Sequence, residues 1–284
     1  MLIICPTPIG NLDDLSARQR DALANADIIA CEDTRHTGKL LERIATNTPD
    51  AKQPKLVSYH EHNALERAES LAAAIEQGKT VVLVSDAGTP TISDPGYRLV
   101  SECTRRDITI TALPGPVAGI VALSASGLPT DRFFFEGFLP AKRQARRERL
   151  DTLRQLGVTT ILYESPHRIT KTLEDVSEVF GHAHPVCVGR ELTKKFEEYL
   201  RGSVGEVLET LTGREKLRGE FVLILAPVDE TLLRERLEGG ALEARIEELL
   251  DGGMRTRDVR DALAKASSLP SSELYELIES IKKR

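Results

Sequence analysis

The sequence predicts an α/β protein built in two blocks and followed by a helical tail. Short β-branched or apolar runs at 2–5, 26–31, 56–59, 80–84 and 108–113 alternate with helical segments, an order that builds a mainly parallel sheet. A second series of strand and helix patterns starts at Phe133. Beyond Pro227 only helical periodicity remains. The expected divisions are an N-terminal α/β domain at 1–126, a second α/β domain at 127–228 and a helix-turn-helix-like tail at 229–284.

The first strand, 2–5, breaks at Pro6-Thr7-Pro8-Ile9-Gly10-Asn11, the place of nucleotide-binding loops in such folds. Neither G-x-G-x-x-G nor G-x-x-x-x-G-K-S/T occurs, so the phosphate cradles those loops build are not expected. Asp13 and Asp14 suit the start of the next helix, where carboxylates meet free amides. The second strand leaves at Glu32-Asp33-Thr34-Arg35-His36-Thr37, whose ionisable side chains suit binding a cation, positioning a phosphate or accepting a proton. Asn63 with Glu66 signals a helix start, Leu65, Ala68, Leu71, Ala72 and Ile75 recur at helical spacing, and Gly78 stops the helix.

Residues 80–84, Thr-Val-Val-Leu-Val, have the composition of a strand buried on both faces. The chain then enters a long loop of turn formers, from Ser85 and Asp86 through Ala87, Gly88, Thr89, Ile92 and Asp94 to Gly96. Ligands sit at the carboxyl ends of strands in open α/β sheets, so this loop is the expected centre of the site. Leu99, Val100 and Cys103 mark a helix face, and the strand at 108–113 ends in Pro114-Gly115-Pro116 before a small-residue helix at 117–125.

Gly127-Leu128-Pro129-Thr130-Asp131 reads as a link, and Phe133-Phe134-Phe135-Glu136-Gly137-Phe138 as a strand entering a new core. Lys142, Arg143, Arg146, Arg147 and Arg149 crowd one helix, by themselves a solvated face. The strand at 159–163 is capped by Glu164-Ser165-Pro166-His167-Arg168, and Ile169, Leu173, Val176 and Phe180 keep helical spacing. A strand at 185–188 ends in Arg190-Glu191-Leu192-Thr193-Lys194-Lys195, and the last strand is 221–226. In the tail, Leu242, Ile246, Leu249 and Leu250 define one helix and Gly252-Gly253 the turn. A second helix carries Val259, Leu263 and Ala266, and a third Leu274, Leu277, Ile278 and Ile281, before the chain closes on Lys282, Lys283 and Arg284. Such a module either touches nucleic acid or packs on the body.

The 284 residues are 40% hydrophobic and 29% charged, the composition of a globular protein with an ample core. No apolar run approaches the roughly 20 residues needed to cross a bilayer, and Met-Leu-Ile-Ile-Cys-Pro is no secretion signal, so a cytoplasmic protein is expected. A net charge of −6 disfavours indiscriminate polyanion binding without excluding RNA. Cys5, Cys31, Cys103 and Cys187 form no close pair, and His60, His62, His182 and His184 lack a third ligand at suitable spacing, so neither disulfide nor metal is expected.

Six stretches in order closely resemble one family: Thr7-Pro8-Ile9-Gly10-Asn11-Leu12, Glu32-Asp33-Thr34-Arg35, Ser85 to Gly96, Pro114-Gly115-Pro116, Tyr163-Glu164-Ser165-Pro166-His167-Arg168 and Arg190-Glu191-Leu192-Thr193-Lys194. It is the small-subunit ribosomal RNA methyltransferase I branch of the tetrapyrrole methylases. The resemblance implies two α/β domains with S-adenosylmethionine bound between them, a homodimer, and methylation of a cytidine ribose 2′-hydroxyl in the decoding region of 16S rRNA. It maps cofactor contacts onto Pro8, Ala87, Gly88, Thr89, Ile92, Val117, Ala118, Glu164 and Leu192. Glu32 or Asp33 is expected to accept or orient the proton, with Arg35, Arg168 and Lys194 on phosphates, and Lys142, Arg143, Arg146 and Arg147 as an RNA-facing helix. Tetrapyrrole enzymes usually carry Gly-x-Gly-Pro-Gly-Asp and Gly-Gly-Asp-Pro where this chain has Thr-Pro-Ile-Gly-Asn and Ala-Gly-Thr-Pro, which favours the RNA branch. A porphyrinoid C-methyltransferase and a nonenzymatic RNA-binding protein are the alternatives.

Overall fold

The computed structural model describes residues 1–45, 53–228, 240–252, 254–263, 267 and 269–282. Strands β1 (Leu2–Ile4), β2 (Ile28–Cys31), β3 (Lys55–Ser58), β4 (Val81–Leu83) and β5 (Ile110–Ala112) form an all-parallel sheet in the order β3-β2-β4-β1-β5. On one face, α3 (Ala64–Glu76) and α4 (Tyr97–Arg105) lay Leu71, Ile75, Leu99 and Cys103 against Leu2, Val81 and Leu83. On the other, α1 (Ala17–Asn25) and α2 (Thr34–Ala45) pack Leu23, Leu40 and Ile44 on Ile29 and Val82. Covering both faces buries β4 completely and β2 nearly so, which is why they read as unbroken apolar runs.

Two helix starts differ from expectation. Asp13 and Asp14 sit in a single 3-10 turn, Leu12–Asp14, capped by Asn11, and the true helix begins at Ala17 behind a reciprocal Ser16–Gln19 capping box. Asn63 precedes α3 but does not cap it, because its amide accepts from the His60 N–H and donates to the Ser58 carbonyl.

The second sheet is mixed. Strands β6 (Phe133–Phe138), β7 (Thr159–Glu164), β8 (Pro185–Arg190), β9 (Glu198–Ser203) and β10 (Phe221–Leu225) run in the order β6-β7-β10-β8-β9, and the β6–β7 pair is parallel while the rest are antiparallel. Helices α6 (Arg143–Arg154), α7 (Ile169–Phe180) and α8 (Val204–Thr212) close one face with Leu150, Leu153, Leu173 and Leu211 over Leu162, Leu223 and Leu225. The opposite face receives α5 (Ala118–Ser124) from the first half. Ala122 and Leu123 lie on Ile161, Cys187, Val222 and Ile224, with Ile9 and Leu192 in the same cluster. At Gly119 an added Cβ would stand 2.9 Å from Ile161 Cγ2, so the small residues of α5 permit this approach.

Strand β9 and helix α8 are not anticipated by the sequence reading. The strand is a polar edge, Glu-Tyr-Leu-Arg-Gly-Ser, without apolar alternation. The helix carries a legible signal in the Ser203–Glu206 capping box. In the tail, α9 (Gly240–Asp251), α10 (Thr256–Leu263) and α11 (Ser271–Lys282) pack around Leu242, Ile246, Val259, Leu274 and Ile278. Gly253, Ala266, Lys283 and Arg284 lie outside the described residues. The exposed residues of α11 include Glu273, Tyr275, Glu276 and Lys282. All four cysteines are buried free thiols, and burial pushes Cys5 up to about 12.

Candidate active site

Three loops meet beyond the carboxyl ends of the parallel strands and are sewn together by the main chain. Thr7 and Gly88 exchange antiparallel hydrogen bonds of 2.9 and 3.0 Å, joining the loop after β1 to the loop after β4. The Thr7 hydroxyl donates to the Ser85 carbonyl, the Ser85 hydroxyl to the Gly88 carbonyl, and the Thr89 hydroxyl to the Pro116 carbonyl. Gly88 has φ +90, and an added Cβ would press on Ile9 at 3.3 Å, so both its conformation and its surroundings call for glycine. Gly115 is tighter, since a Cβ there would lie 2.1 Å from Pro6 Cβ. Thr91 (φ +77) and Ser93 (φ +58) hold left-handed backbone in the loop after β4, and strain of that kind concentrates at functional sites.

Between these loops and the second sheet lies a cavity of about 260 Å³. Ala87, Gly88, Thr89 and Ile92 line it from the loop after β4, Val117 and Ala118 from the start of α5, and Glu164 and Leu192 from the second half. The structure thus brings eight of the nine expected cofactor contacts to one cavity; Pro8 lines its neighbour. The Tyr163 hydroxyl accepts from the Gly119 N–H at 3.2 Å, fixing the start of α5 to the far wall. Glu164 is buried, with its carboxylate accepting from Ser165 N at 2.8 Å and from the Thr172 hydroxyl at 2.7 Å.

Asp94 also lines this cavity and is absent from the expected contacts. Burial, with Glu32 and Asp86 adding repulsion, pushes its carboxyl up to about 6. The sequence signal was its place in a loop at a strand exit, where it reads equally as a turn former. Asp94, Glu164 and Glu220 are the ionisable acids of the lining, which contains no lysine or arginine.

A second cavity, of about 310 Å³, shares Ile9, Ala87 and Glu220 with the first. Its walls carry His36, Lys39 and Arg43 from α2 and Lys194 from the loop after β8. The Lys194 ammonium donates to Glu191 at 2.9 Å and Glu220 at 3.1 Å.

Other expected site residues fall elsewhere. Glu32, Asp33 and Arg35 stand at the exit of β2 and line neither cavity. The Arg35 guanidinium and backbone N–H grip the Asp33 carboxylate and hold it down at about 2, so Asp33 is a weak proton acceptor. The basic helix α6 is largely neutralised. Arg146 is buried with its guanidinium 2.6 Å from Asp175, a packing anchor inaccessible to RNA, which corrects the expectation for this residue. Arg143 pairs with Asp175 and Glu178, Arg147 with Glu178, and Arg149 with Glu136. Arg168 donates to the Leu139 and Pro140 carbonyls and lies 3.5 Å from Glu164. No cluster able to hold a metal ion occurs among the described residues.

Comparison with known proteins adds an independent line. Residues 1–208 match the family model of the Tetrapyrrole (Corrin/Porphyrin) Methylases. The chain is 41% identical over 280 residues to "Ribosomal RNA small subunit methyltransferase I" of Synechocystis sp., covering 98% of this chain and 96% of that one. It is 48% identical over 225 residues to the protein of the same name from Escherichia coli O157:H7, covering 79% and 77%. A solved uroporphyrin-III C-methyltransferase from Thermus thermophilus, complexed with S-adenosylhomocysteine, superposes with a TM-score of 0.53 at 18% identity, covering 79% and 96%. The sewn loops and the cavity they close are therefore those of a tetrapyrrole methylase fold, and the chain belongs to that family, in the branch of the small-subunit ribosomal RNA methyltransferases I.

Proposed function

We propose that this protein transfers a methyl group from S-adenosylmethionine to the ribose 2′-hydroxyl of a cytidine in the decoding region of 16S rRNA. The observation that carries the reading is the acid-lined cavity closed by both halves of the molecule. Its residues fit such a cofactor: apolar walls from Ile9, Ala87, Val117, Ala118 and Leu192, with Asp94 to face positive charge. When bound, S-adenosylmethionine supplies a methyl group on a positively charged sulfur, open to in-line displacement by an oxygen nucleophile.

The chain's own residues then bind, orient and exclude water. The Thr7–Gly88 link and the Thr89–Pro116 hydrogen bond hold the three loops in one arrangement, so little reorganisation is needed on binding. Leu192 and Phe221 from the second half shield the cavity from water. For the proton of the ribose hydroxyl, Glu32 is the better candidate of the expected pair. Its carboxylate is exposed and close enough to Asp94 to raise that group, whereas Asp33 is committed to Arg35. Of the expected phosphate contacts, Lys142 at the head of α6 has no ion pair among the described residues, whereas Arg143, Arg146, Arg147 and Lys194 are already paired.

The same reading takes 1–126 and 127–228 as the two domains, 229–284 as the tail, the cytoplasm as the location and a homodimer as the working form. Exposed Tyr97, Phe133 and Phe134 offer a second copy apolar surface to cover. Among the described residues no helix is long and apolar enough to cross a membrane. Two relatives of the same printed name, one matching nearly the whole chain, favour an RNA acceptor over a porphyrinoid. The test is incubation of the pure protein with radiolabelled S-adenosylmethionine and either unmodified small ribosomal subunits or a porphyrinogen, followed by mapping of ribose methylation. Label in a single cytidine ribose is the expected result; label in the porphyrinogen alone, or binding without transfer, overturns it.

A further inference from the structure

The two adjoining cavities differ in charge. The first has acids and no lysine or arginine in its lining, while the second sets His36, Lys39, Arg43 and Lys194 against Asp86 and the shared Glu220. The difference follows from local structure. His36, Lys39 and Arg43 are spaced i, i+3 and i+7 along α2, so they share one helix face. Lys194 faces them from the loop after β8, held by Glu191 and Glu220. At Gly10 an added Cβ would stand 3.1 Å from the Leu192 carbonyl, so this glycine lets the two walls close on each other. Lys39 is exposed and has no ion pair or hydrogen bond among the described residues.

A methyl donor carrying positive charge and an acceptor carrying phosphates need opposite electrostatic surroundings close to each other. The cavities meet at Ile9, Ala87 and Glu220, where the donor side gives way to the base-lined side. We infer that the base-lined cavity between α2 and the loop after β8 seats a phosphodiester of the RNA strand beside the target ribose, with Lys39 as its principal free cation. This rests on the methyltransfer reading above and adds the path of the strand. The RNA crosses the face of α2 in the first half instead of lying along α6, where Asp175, Glu178 and Glu136 already neutralise four arginines. Anchoring the backbone here fixes the ribose in register while leaving base recognition to other contacts.

The experiment compares full-length wild type, Lys39→Gln, Lys39→Glu and Lys171→Gln. Lys171 is an exposed cation on α7 beside the arginines of α6 and serves as the control. Affinity for unmodified small ribosomal subunits is measured by filter binding across a salt series, cofactor affinity by calorimetry, and methylation by steady-state kinetics. Lys39→Gln is expected to weaken subunit binding about 3- to 10-fold and to reduce the slope of log K against log salt by about one. Lys39→Glu weakens it further. Both raise KM for the subunit with kcat and cofactor affinity kept, and Lys171→Gln matches wild type. If wild type methylates the subunit and Lys39→Glu binds it with unchanged affinity and slope, the cavity assignment is wrong and the methyltransfer reading stands. A larger loss in Lys171→Gln than in Lys39→Gln returns the strand to α6 and overturns the inference. A wild type that neither binds nor methylates the subunit removes both.

Discussion

Asp94 offers the sharpest test of the donor cavity. In the free protein its carboxyl is pushed up to about 6 by burial and by Glu32 and Asp86, so the folded state holds this proton more tightly than the unfolded chain. The stability it contributes is fully present below the ordinary carboxylate range and is lost as pH rises through about 6. A bound cation reverses the preference, because only the ionised carboxylate attracts it. Asp94→Asn therefore separates two effects. Without ligand at neutral pH the variant is expected to melt at a higher temperature than wild type, since a repelled charge has gone. With S-adenosylmethionine it is expected to bind more weakly by about 1.5–3 kcal/mol, the worth of a charge-assisted hydrogen bond, or roughly 10- to 100-fold in Kd. Wild-type affinity should fall about tenfold between neutral pH and one unit below the carboxyl's value, where about one group in ten is ionised, while the variant stays flat. Calorimetry at several pH values, with thermal melts of the same samples, reads all three. Equal affinities with parallel pH profiles would mean that Asp94 does not face the ligand's positive charge.

Glu32→Gln is expected to slow single-turnover methylation about 100-fold at saturating cofactor, while Asp33→Asn, whose wild-type carboxylate is held at about 2 by Arg35, slows it far less. Wild-type rates in Glu32→Gln would remove that residue from the chemistry. Arg146→Ala strands the buried Asp175 carboxylate and should cost about 3–5 kcal/mol in urea unfolding, with a loss under about 1 kcal/mol showing that Arg143 alone satisfies it. Gly115→Ala forces a methyl into the Pro6 ring, so it should destabilise by about 1–3 kcal/mol and loosen cofactor binding by spreading the first and third loops. Unfolding and calorimetry on that variant test the link between the two effects, and a fully stable protein with intact affinity contradicts it.

How far the sequence went depended on whether a signal was local. The five parallel strands and the glycine loop after β4 were legible because buried runs and strand-exit loops are written in consecutive residues, whereas Ala87, Gly88, Thr89, Ile92, Val117, Ala118, Glu164 and Leu192, which line the cavity, were singled out by the family resemblance. The polar edge strand β9 was not, since hydrogen bonds to β8 hold it without an apolar pattern of its own. The cluster Lys142 to Arg149 read as one basic patch, and its pairing partners Glu136, Asp175 and Glu178 come from β6 and α7.

By itself, then, the sequence determined the layered α/β architecture and which loops would converge, through periodicity and turn chemistry that act over a few residues. Only the tertiary structure decided which charges are free. It buried Arg146 on Asp175, left Lys39 without an ion pair among the described residues, and set Asp94 where Glu32 and Asp86 raise it. The reason is physical: the state of a charge depends on partners and solvent within a few ångströms, and most of those partners lie far away along the chain.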